Sequence, residues 1–270
     1  MKGDWVLDLF AAMPEKPRSM RDLLNRNLIG RIDDTKLLDQ SLCHLLSDVR
    51  LAAPVPDPTK ILCLGLNYRD HAAEQNKPVP ERPLVFPKVP SAVIANGEDI
   101  RLPDPDLETF VDPEAELAVV IGKTASKVSE ENAYDYVAGY TILNDVSGRD
   151  TQKAERQWLR AKGFDTFAPM GPWIITKDEI PDPHTLDITC RVNGEVRQNS
   201  NTSNLIFTVP YLVSYLSRTI TLYPGDVIAT GTPGGVGIFR DPPVRLQEGD
   251  VVTLEIYGIG ILENQVVRIP

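Results

Sequence analysis

The sequence predicts a β-rich α+β fold, and three features carry that expectation. Short apolar runs recur along most of its length: Ile61 to Leu66, Leu117 to Ile121, Thr141 to Asn144, Trp173 to Thr176, Leu186 to Val192, Val227 to Thr230 and Val251 to Ile256. Each is the length of a strand rather than of a helix. Gly, Pro, Asn and Asp separate these runs, and the pairs Gly225-Asp226 and Gly249-Asp250 read as two hairpin corners. Helical patterns interrupt the series only sparingly, which favours a sandwich or barrel-like β core over a βαβ array.

Residues 1–55 read as a small N-terminal accessory segment. Trp5 to Phe10 suits a short strand or turn, and Leu37, Leu38, Leu42, Leu45, Leu46 and Val49 recur at helical spacing after the capping pair Asp33-Asp34. The proline-rich stretch Ala53-Pro54-Val55-Pro56-Asp57-Pro58 is stiff and extended, and marks the boundary to a larger main domain over residues 56–270. Within that domain a helix is expected to open at Ser129-Glu130-Glu131, where a cap precedes an acidic first turn. A second opens at Thr208-Val209-Pro210 and carries Leu212, Val213 and Leu216. A third spans about Thr151 to Ala161 and stops at Gly163.

The bulk numbers narrow the function classes. With 270 residues, 42% hydrophobic and 24% charged, the chain has the composition of a globular protein with a substantial core. Its formal charge of -10 disfavours nucleic acid and anionic membrane surfaces as partners. Cys43, Cys63 and Cys190 are odd in number, far apart and outside any Cys-x-x-Cys spacing, which suits reduced thiols in an intracellular compartment. No apolar run approaches the roughly 20 residues of a membrane helix. The early acids Asp4, Asp8 and Glu15 fit poorly with a presequence, leaving the mitochondrial matrix and the cytoplasm as the expected locations.

The chemistry-bearing residues gather around Asp112-Pro113-Glu114-Ala115-Glu116-Leu117. Strand side chains alternate faces, so Glu114 and Glu116 point the same way, with Ala118 and Val120 behind them. Two adjacent like charges need neutralising, and a hard divalent cation does this with carboxylate oxygens. Asp145, at the end of Thr141-Ile142-Leu143-Asn144, would complete an oxygen-rich half-shell. Solvated glutamates and a turn aspartate are the alternatives. In Asp70-His71-Ala72-Ala73-Glu74, Asp70 can cap a short helix and Glu74 can orient the His71 imidazole at i, i+3 as a general-base dyad. The alternative is a casual surface pair. Pro78, Pro80 and Pro83 then suggest a mobile loop or lid. Arg149, Gln152, Lys162 and Thr232 could bind an acidic substrate. The glycine-rich Thr230 to Gly237 lacks the Gly-Lys-Ser/Thr ending of a nucleotide loop, and no Gly-x-Ser-x-Gly elbow supports a serine hydrolase.

Taken in order, these pieces resemble the fumarylacetoacetate hydrolase family from about Lys60 to the end. They are Gly65-Leu66-Asn67-Tyr68 with His71 and Glu74, Glu114-Ala115-Glu116-Leu117, Gly139-Tyr140 to Asp145, Arg149, Asp150 and Gln152. Lys162-Gly163-Phe164-Asp165, Val192-Asn193-Gly194-Glu195, Gly225-Asp226 and Thr230-Gly231-Thr232-Pro233 follow. The resemblance implies a mixed β-roll catalytic domain, usually a homodimer. Mg²⁺ or Mn²⁺ would sit on Glu114, Glu116 and Asp145, with Ca²⁺ as an inactive occupant. It also implies His71 and Glu74 as the base dyad, Lys162 as a second catalytic group, and Arg149, Gln152, Lys162 and Thr232 around a small anionic oxo-acid substrate. The expected chemistry is acylpyruvate-type C–C hydrolysis or oxaloacetate decarboxylation through a stabilised enolate. Oxaloacetate enol–keto tautomerisation is the runner-up, and a catalytically silent scaffold a third alternative.

Overall fold

The computed structural model describes residues 4–268. The N-terminal segment holds β1 (Trp5–Leu7), α1 (Leu9–Ala12), α2 (Met20–Asn25) and β2 (Cys43–Leu45), which returns antiparallel to β1. Next come β3 (Ile61–Gly65), α3 (Arg69–Glu74), β4 (Leu84–Lys88), β5 (Val93–Ile94), β6 (Ile100–Leu102), β7 (Val111–Asp112), β8 (Ala115–Ile121) and β9 (Val137–Asn144). The chain continues through β10 (Ser147–Gly148), α4 (Arg149–Ala154), α5 (Leu159–Lys162) and β11 (Ala168–Thr176). A hairpin of β12 (Asp187–Val192) and β13 (Glu195–Asn201), then α6 (Val209–Ser217) and β14 (Val227–Ala229), lead to a final hairpin of β15 (Val251–Ile256) and β16 (Gly260–Arg268).

A seven-stranded mixed sheet, in the order β4-β3-β14-β8-β9-β11-β5, packs against a five-stranded sheet in the order β13-β12-β15-β16-β6. Every apolar run named from the sequence forms a strand, giving the β-rich sandwich expected. The alternation along β8 explains the layering. Ala115, Leu117, Val119 and Ile121 enter the large core between the sheets, facing Ile188, Cys190, Leu254 and Leu262. Ala118 and Val120 enter a second core on the opposite face, with Ile61, Cys63, Leu24 and Val55. Burying each Val, Leu or Ile among these contributes about 1.5–3 kcal/mol before entropy is counted, and each alanine methyl less. Both faces of the sheet are therefore covered, and β8 is buried at all 7 positions.

Several local expectations need correction. The Leu37 to Val49 pattern is not a helix: 3₁₀ turns at Asp34–Leu38, Gln40–Leu42 and Leu46–Asp48 flank β2. Asp33 and Asp39 accept N–H bonds from Thr35 and Ser41 two residues on, so local turns outcompete the helix. The segment from Thr151 breaks at Glu155 into α4 and α5, which does stop at Gly163. Ser129 precedes a 3₁₀ segment, Glu130–Tyr136, without capping it. Tyr68, not Asp70, holds the N-cap position of α3. Gly225 and Gly249 are tight turns at positive φ, but each leads into a strand without joining a hairpin. The hairpin corners are Asn193-Gly194, which turns β12 into β13, and Tyr257 to Gly260. The opening of α6 at Thr208, whose hydroxyl accepts from Tyr211 N, is as expected.

One central glycine has no room for a side chain. A Cβ at Gly139, in the middle of β9, would stand 2.1 Å from the Ile175 carbonyl oxygen on β11. Replacing it with alanine should lower unfolding free energy in urea by about 2–3 kcal/mol through overpacking. Gly30→Ala, where nothing lies within 4 Å, should change it by about 0.5 kcal/mol or less.

Candidate active site

The site begins with strand register. In the antiparallel β8–β9 pair Ala115 stands opposite Asn144 and Glu116 opposite Leu143, so one step outward Glu114 faces Asp145. The Asp145 N–H closes that step by donating to the Glu114 carbonyl at 2.9 Å. Glu116 follows Glu114 by two residues and shares its face. All three carboxylates are buried, and one oxygen from each lies within 4.8 Å of the others. Two strand ends, brought together by ladder geometry alone, thus make the cluster.

Three cations surround it. Lys162 Nζ bridges Glu114 Oε2 at 2.7 Å and Asp145 Oδ2 at 2.6 Å. Lys88 Nζ donates to Asp145 Oδ1 at 2.6 Å and to the Val146 carbonyl at 3.0 Å. Arg149 Nη2 donates to Glu114 Oε1 at 2.5 Å, and its Nε and Nη2 reach Asp112 Oδ2 at 3.1 Å each. Burial opposes charge on Glu114, yet the Lys162 and Arg149 cations hold its carboxyl well below the usual range. Glu116 goes the other way. Burial, with Asp145 and Glu114 beside it, pushes its carboxyl well up. Burial also pulls the Lys88 ammonium down, against the attraction of Asp145.

Glu116 is the incomplete member. Its Oε2 accepts the Gly231 N–H at 2.8 Å, but Oε1 is buried with no partner. A buried carboxylate oxygen left unmatched is costly. Three carboxylates that bring an oxygen each within 4.8 Å of the others, one of them with an unmatched oxygen, offer the hard donor set of Mg²⁺, Mn²⁺ or Ca²⁺, and each bonded carboxylate oxygen retains a second lone pair.

A cavity of about 260 Å³ opens beside the cluster and gathers most of the residues singled out from the sequence. Glu114, His71, Arg149, Gln152, Lys162 and Thr232 line it, while Leu64, Leu66, Leu84, Phe86 and Trp158 form an apolar wall. Glu74 stands behind His71, its Oε2 at 3.0 Å from Nδ1. Gln75 Nε2 lies 2.8 Å from the other ring nitrogen, and the Phe239 ring packs edge-on at 5.7 Å. Gln152 Oε1 accepts from Arg149 Nη1 at 2.8 Å, and the Thr232 hydroxyl accepts from the Gln198 amide at 2.7 Å. Rather than standing free as a lid, α3 is docked: Gly235 N donates to Glu74 Oε1 at 2.8 Å, and Ser200 bonds Asp70. Gly235 has φ +102, and a Cβ there would meet the Arg197 carbonyl oxygen at 2.1 Å, so only glycine brings this loop onto the dyad.

Sequence reasoning missed Lys88, Asp112, Gln198, Gln75 and the apolar wall. Asp112 does the most. Its Oδ1 accepts from Gly237 N at 3.0 Å and its Oδ2 from Ile238 N at 3.0 Å, so one carboxylate ties Arg149 to the loop carrying Phe239. Glu108 performs the corresponding task for α4, accepting the Asp150 and Thr151 N–H groups at 3.0 Å each in place of a side chain on Gly148. Asp112 had a sequence signal, since it opens the acidic stretch. A single lysine at the end of β4 had none.

Known proteins resemble this chain in sequence and in fold. The family described as fumarylacetoacetate (FAA) hydrolase C-terminal matches residues 60–267. Oxaloacetate tautomerase fahd2, mitochondrial, of Xenopus laevis is 48% identical over 269 residues, covering 98% of this chain and 83% of that protein. The human oxaloacetate tautomerase FAHD2A, mitochondrial, is 45% identical, covering 98% and 85%. Among solved structures, a fumarylacetoacetate hydrolase from Exiguobacterium antarcticum superposes with a TM-score of 0.84 at 40% identity, covering 93% of this chain and 88% of that one. Maleylpyruvate hydrolase from Sphingobium, in complex with manganese (II) ion and pyruvate, gives 0.83 at 34% identity, covering 99% and 94%. No helix among the described residues is long and apolar enough to cross a membrane.

The Asp112 clamp is open to measurement. Asp112→Asn leaves Arg149 short of one buried anion and should lower stability by about 3 kcal/mol in urea unfolding, whereas a change below about 0.5 kcal/mol would refute the clamp.

Proposed function

Because the chain belongs to the fumarylacetoacetate hydrolase family, we propose that it is a divalent-metal-dependent enzyme of small 2-oxo acids whose reaction is the enol–keto tautomerisation of oxaloacetate. One observation carries the metal part: the unpartnered Glu116 Oε1 in the three-carboxylate cluster. Two relatives named as oxaloacetate tautomerases, each covering nearly the whole chain, support the reaction.

Glu114, Glu116 and Asp145 would hold Mg²⁺ or Mn²⁺, with Ca²⁺ as an inactive occupant, and the ion when bound supplies Lewis-acid polarisation of the substrate's carboxylate and 2-oxo oxygens. The side chains do the rest. The Arg149 guanidinium and the Thr232 hydroxyl offer donors to an anionic group in the cavity, and the Gln152 amide fixes the guanidinium plane. Lys162, kept charged against burial by Asp145 and Glu114, presents its ammonium where negative charge would develop on the 2-oxygen. Tautomerisation moves one proton: the enol O–H is lost and C3 gains hydrogen, with no water consumed and no C–C bond broken. The Glu74 carboxylate fixes the Nδ1–H form of His71, leaving Nε2 as the nitrogen that carries the proton to or from C3. The apolar wall excludes bulk water from that transfer.

Acylpyruvate hydrolysis is the second reading, favoured by the dyad itself, since a carboxylate-oriented imidazole is also what a water-activating base requires. Oxaloacetate decarboxylation would pass through the same enolate. We extend the proposal to a homodimeric enzyme, as the family resemblance implies, and light scattering on the purified protein tests this.

Three assays on one preparation separate the reactions. With Mg²⁺ or Mn²⁺ added, the absorbance of enol-oxaloacetate should decay faster than in buffer, faster than pyruvate is released by decarboxylation and faster than acetylpyruvate is cleaved. EDTA should abolish the effect, and an activity indifferent to EDTA would sink the metal reading. Glu116→Gln should eliminate Mn²⁺ binding in titration calorimetry. His71→Ala should lower kcat about 100-fold or more while Mn²⁺ still binds; equal loss of both would instead mark a folding defect.

A further inference from the structure

The cavity contains one polar contact that the mechanism above does not use. Gln75 Nε2 lies 2.8 Å from His71 Nε2. Both ring nitrogens of His71 are thus engaged by its own helix, Glu74 at i+3 and Gln75 at i+4, the two spacings that share a helical face. Because the Glu74 carboxylate is an acceptor, Nδ1 carries the ring proton. Nε2 then has a lone pair, and the Gln75 amide N–H donates to it.

We propose that Gln75 is a specificity-determining residue that closes the base nitrogen of His71 to water, turning this site away from hydrolysis and toward proton transfer at carbon. A general base must hold its water at about 2.6–3.2 Å, and the Gln75 amide nitrogen already stands at that distance. An imine nitrogen has a single lone pair, so amide and water exclude one another. Phe239 packs edge-on against the same ring, and Gly235, bonded to Glu74, pins the helix. Gln75 caps the helix at its C-terminus, Asn76 follows in a left-handed turn at φ +52, and the Gln75 side chain lines the cavity.

The two reactions make different demands on that position. Hydrolysis of acetylpyruvate consumes water: a proton passes to Nε2 as the oxygen bonds to the distal carbonyl carbon. The bond from that carbon to C3 breaks with its electron pair left on C3, and C3 takes up a proton. Acetate, pyruvate and one proton result. Substrate and water must therefore occupy the cavity together, with the water where the amide stands. Tautomerisation needs the substrate alone, and C3 displaces the amide as it approaches Nε2, leaving no gap for water.

This inference rests on the proposed reaction for its meaning, but its test reads hydrolysis separately. Gln75→Ala and Gln75→Ser both remove the amide and open space for a water. In metal-loaded enzyme, kcat for acetylpyruvate cleavage should rise roughly 10- to 100-fold over the unsubstituted protein with KM little changed, and the ratio of hydrolysis to tautomerisation should rise at least as much. A second readout is spectroscopic. The chain has 3 histidines, so the His71 Nε2 resonance is readily assigned in ¹⁵N spectra of the metal-free protein. It should move toward that of an imine nitrogen without a donor in both variants. If hydrolysis does not rise in either variant while melting temperatures stay near that of the unsubstituted protein, the proposal is wrong. An unsubstituted protein inert toward enol-oxaloacetate would overturn the tautomerase reading instead, and leave the hydrolysis comparison standing.

Discussion

The structure depends on a balance of charge struck inside the protein. Glu114, Glu116 and Asp145 are buried where carboxylates are expensive, and Lys88, Lys162 and Arg149 are buried against them. Neither set could remain inside without the other. Lys162 is the central member because it touches carboxylates from both strand ends, so the site closes only when α5, β8 and β9 are all in place. Placing these groups is the task of the fold, and the two covered faces of the larger sheet provide the low-dielectric setting that makes them effective.

Much of this was legible in the sequence, for identifiable reasons. Strands announce themselves through local composition, and every apolar run read as a strand from Ile61 to Ile256 is one. The accessory segment was read less well. Leu37, Leu42 and Leu45 have helical spacing, but Asp33 and Asp39 sit where their carboxylates can bond the backbone two residues on. A periodic pattern states a preference, and nearby polar side chains can overrule it. Strands with few apolar residues, such as Glu195–Asn201, escaped notice because their partners rather than their composition stabilise them.

The site divides along the same line. Glu114, Glu116 and Asp145 could be associated because strand alternation and a strand end are local properties. Lys88 and Gln198 could not, nor could the clamp made by Asp112, since each gains meaning from a residue far along the chain: Lys88 from Asp145, Asp112 from Arg149 and Gly237, Gln198 from Thr232. These are the groups that hold others in position. Catalytic side chains betray themselves by type, whereas their supports are ordinary residues in unusual places.

The register that sets Glu114 opposite Asp145 operates at one end of the β8–β9 pair, while the connection joining these strands, residues 122–136, lies at the other. Insertions or deletions in that connection leave the facing residues facing. The carboxylate cluster is thereby set apart from a connection with its own packing, in which Ala125, Val128 and Ala133 enter the large core, so that changes in the exposed part of that connection can add new surface without disturbing the three facing acids.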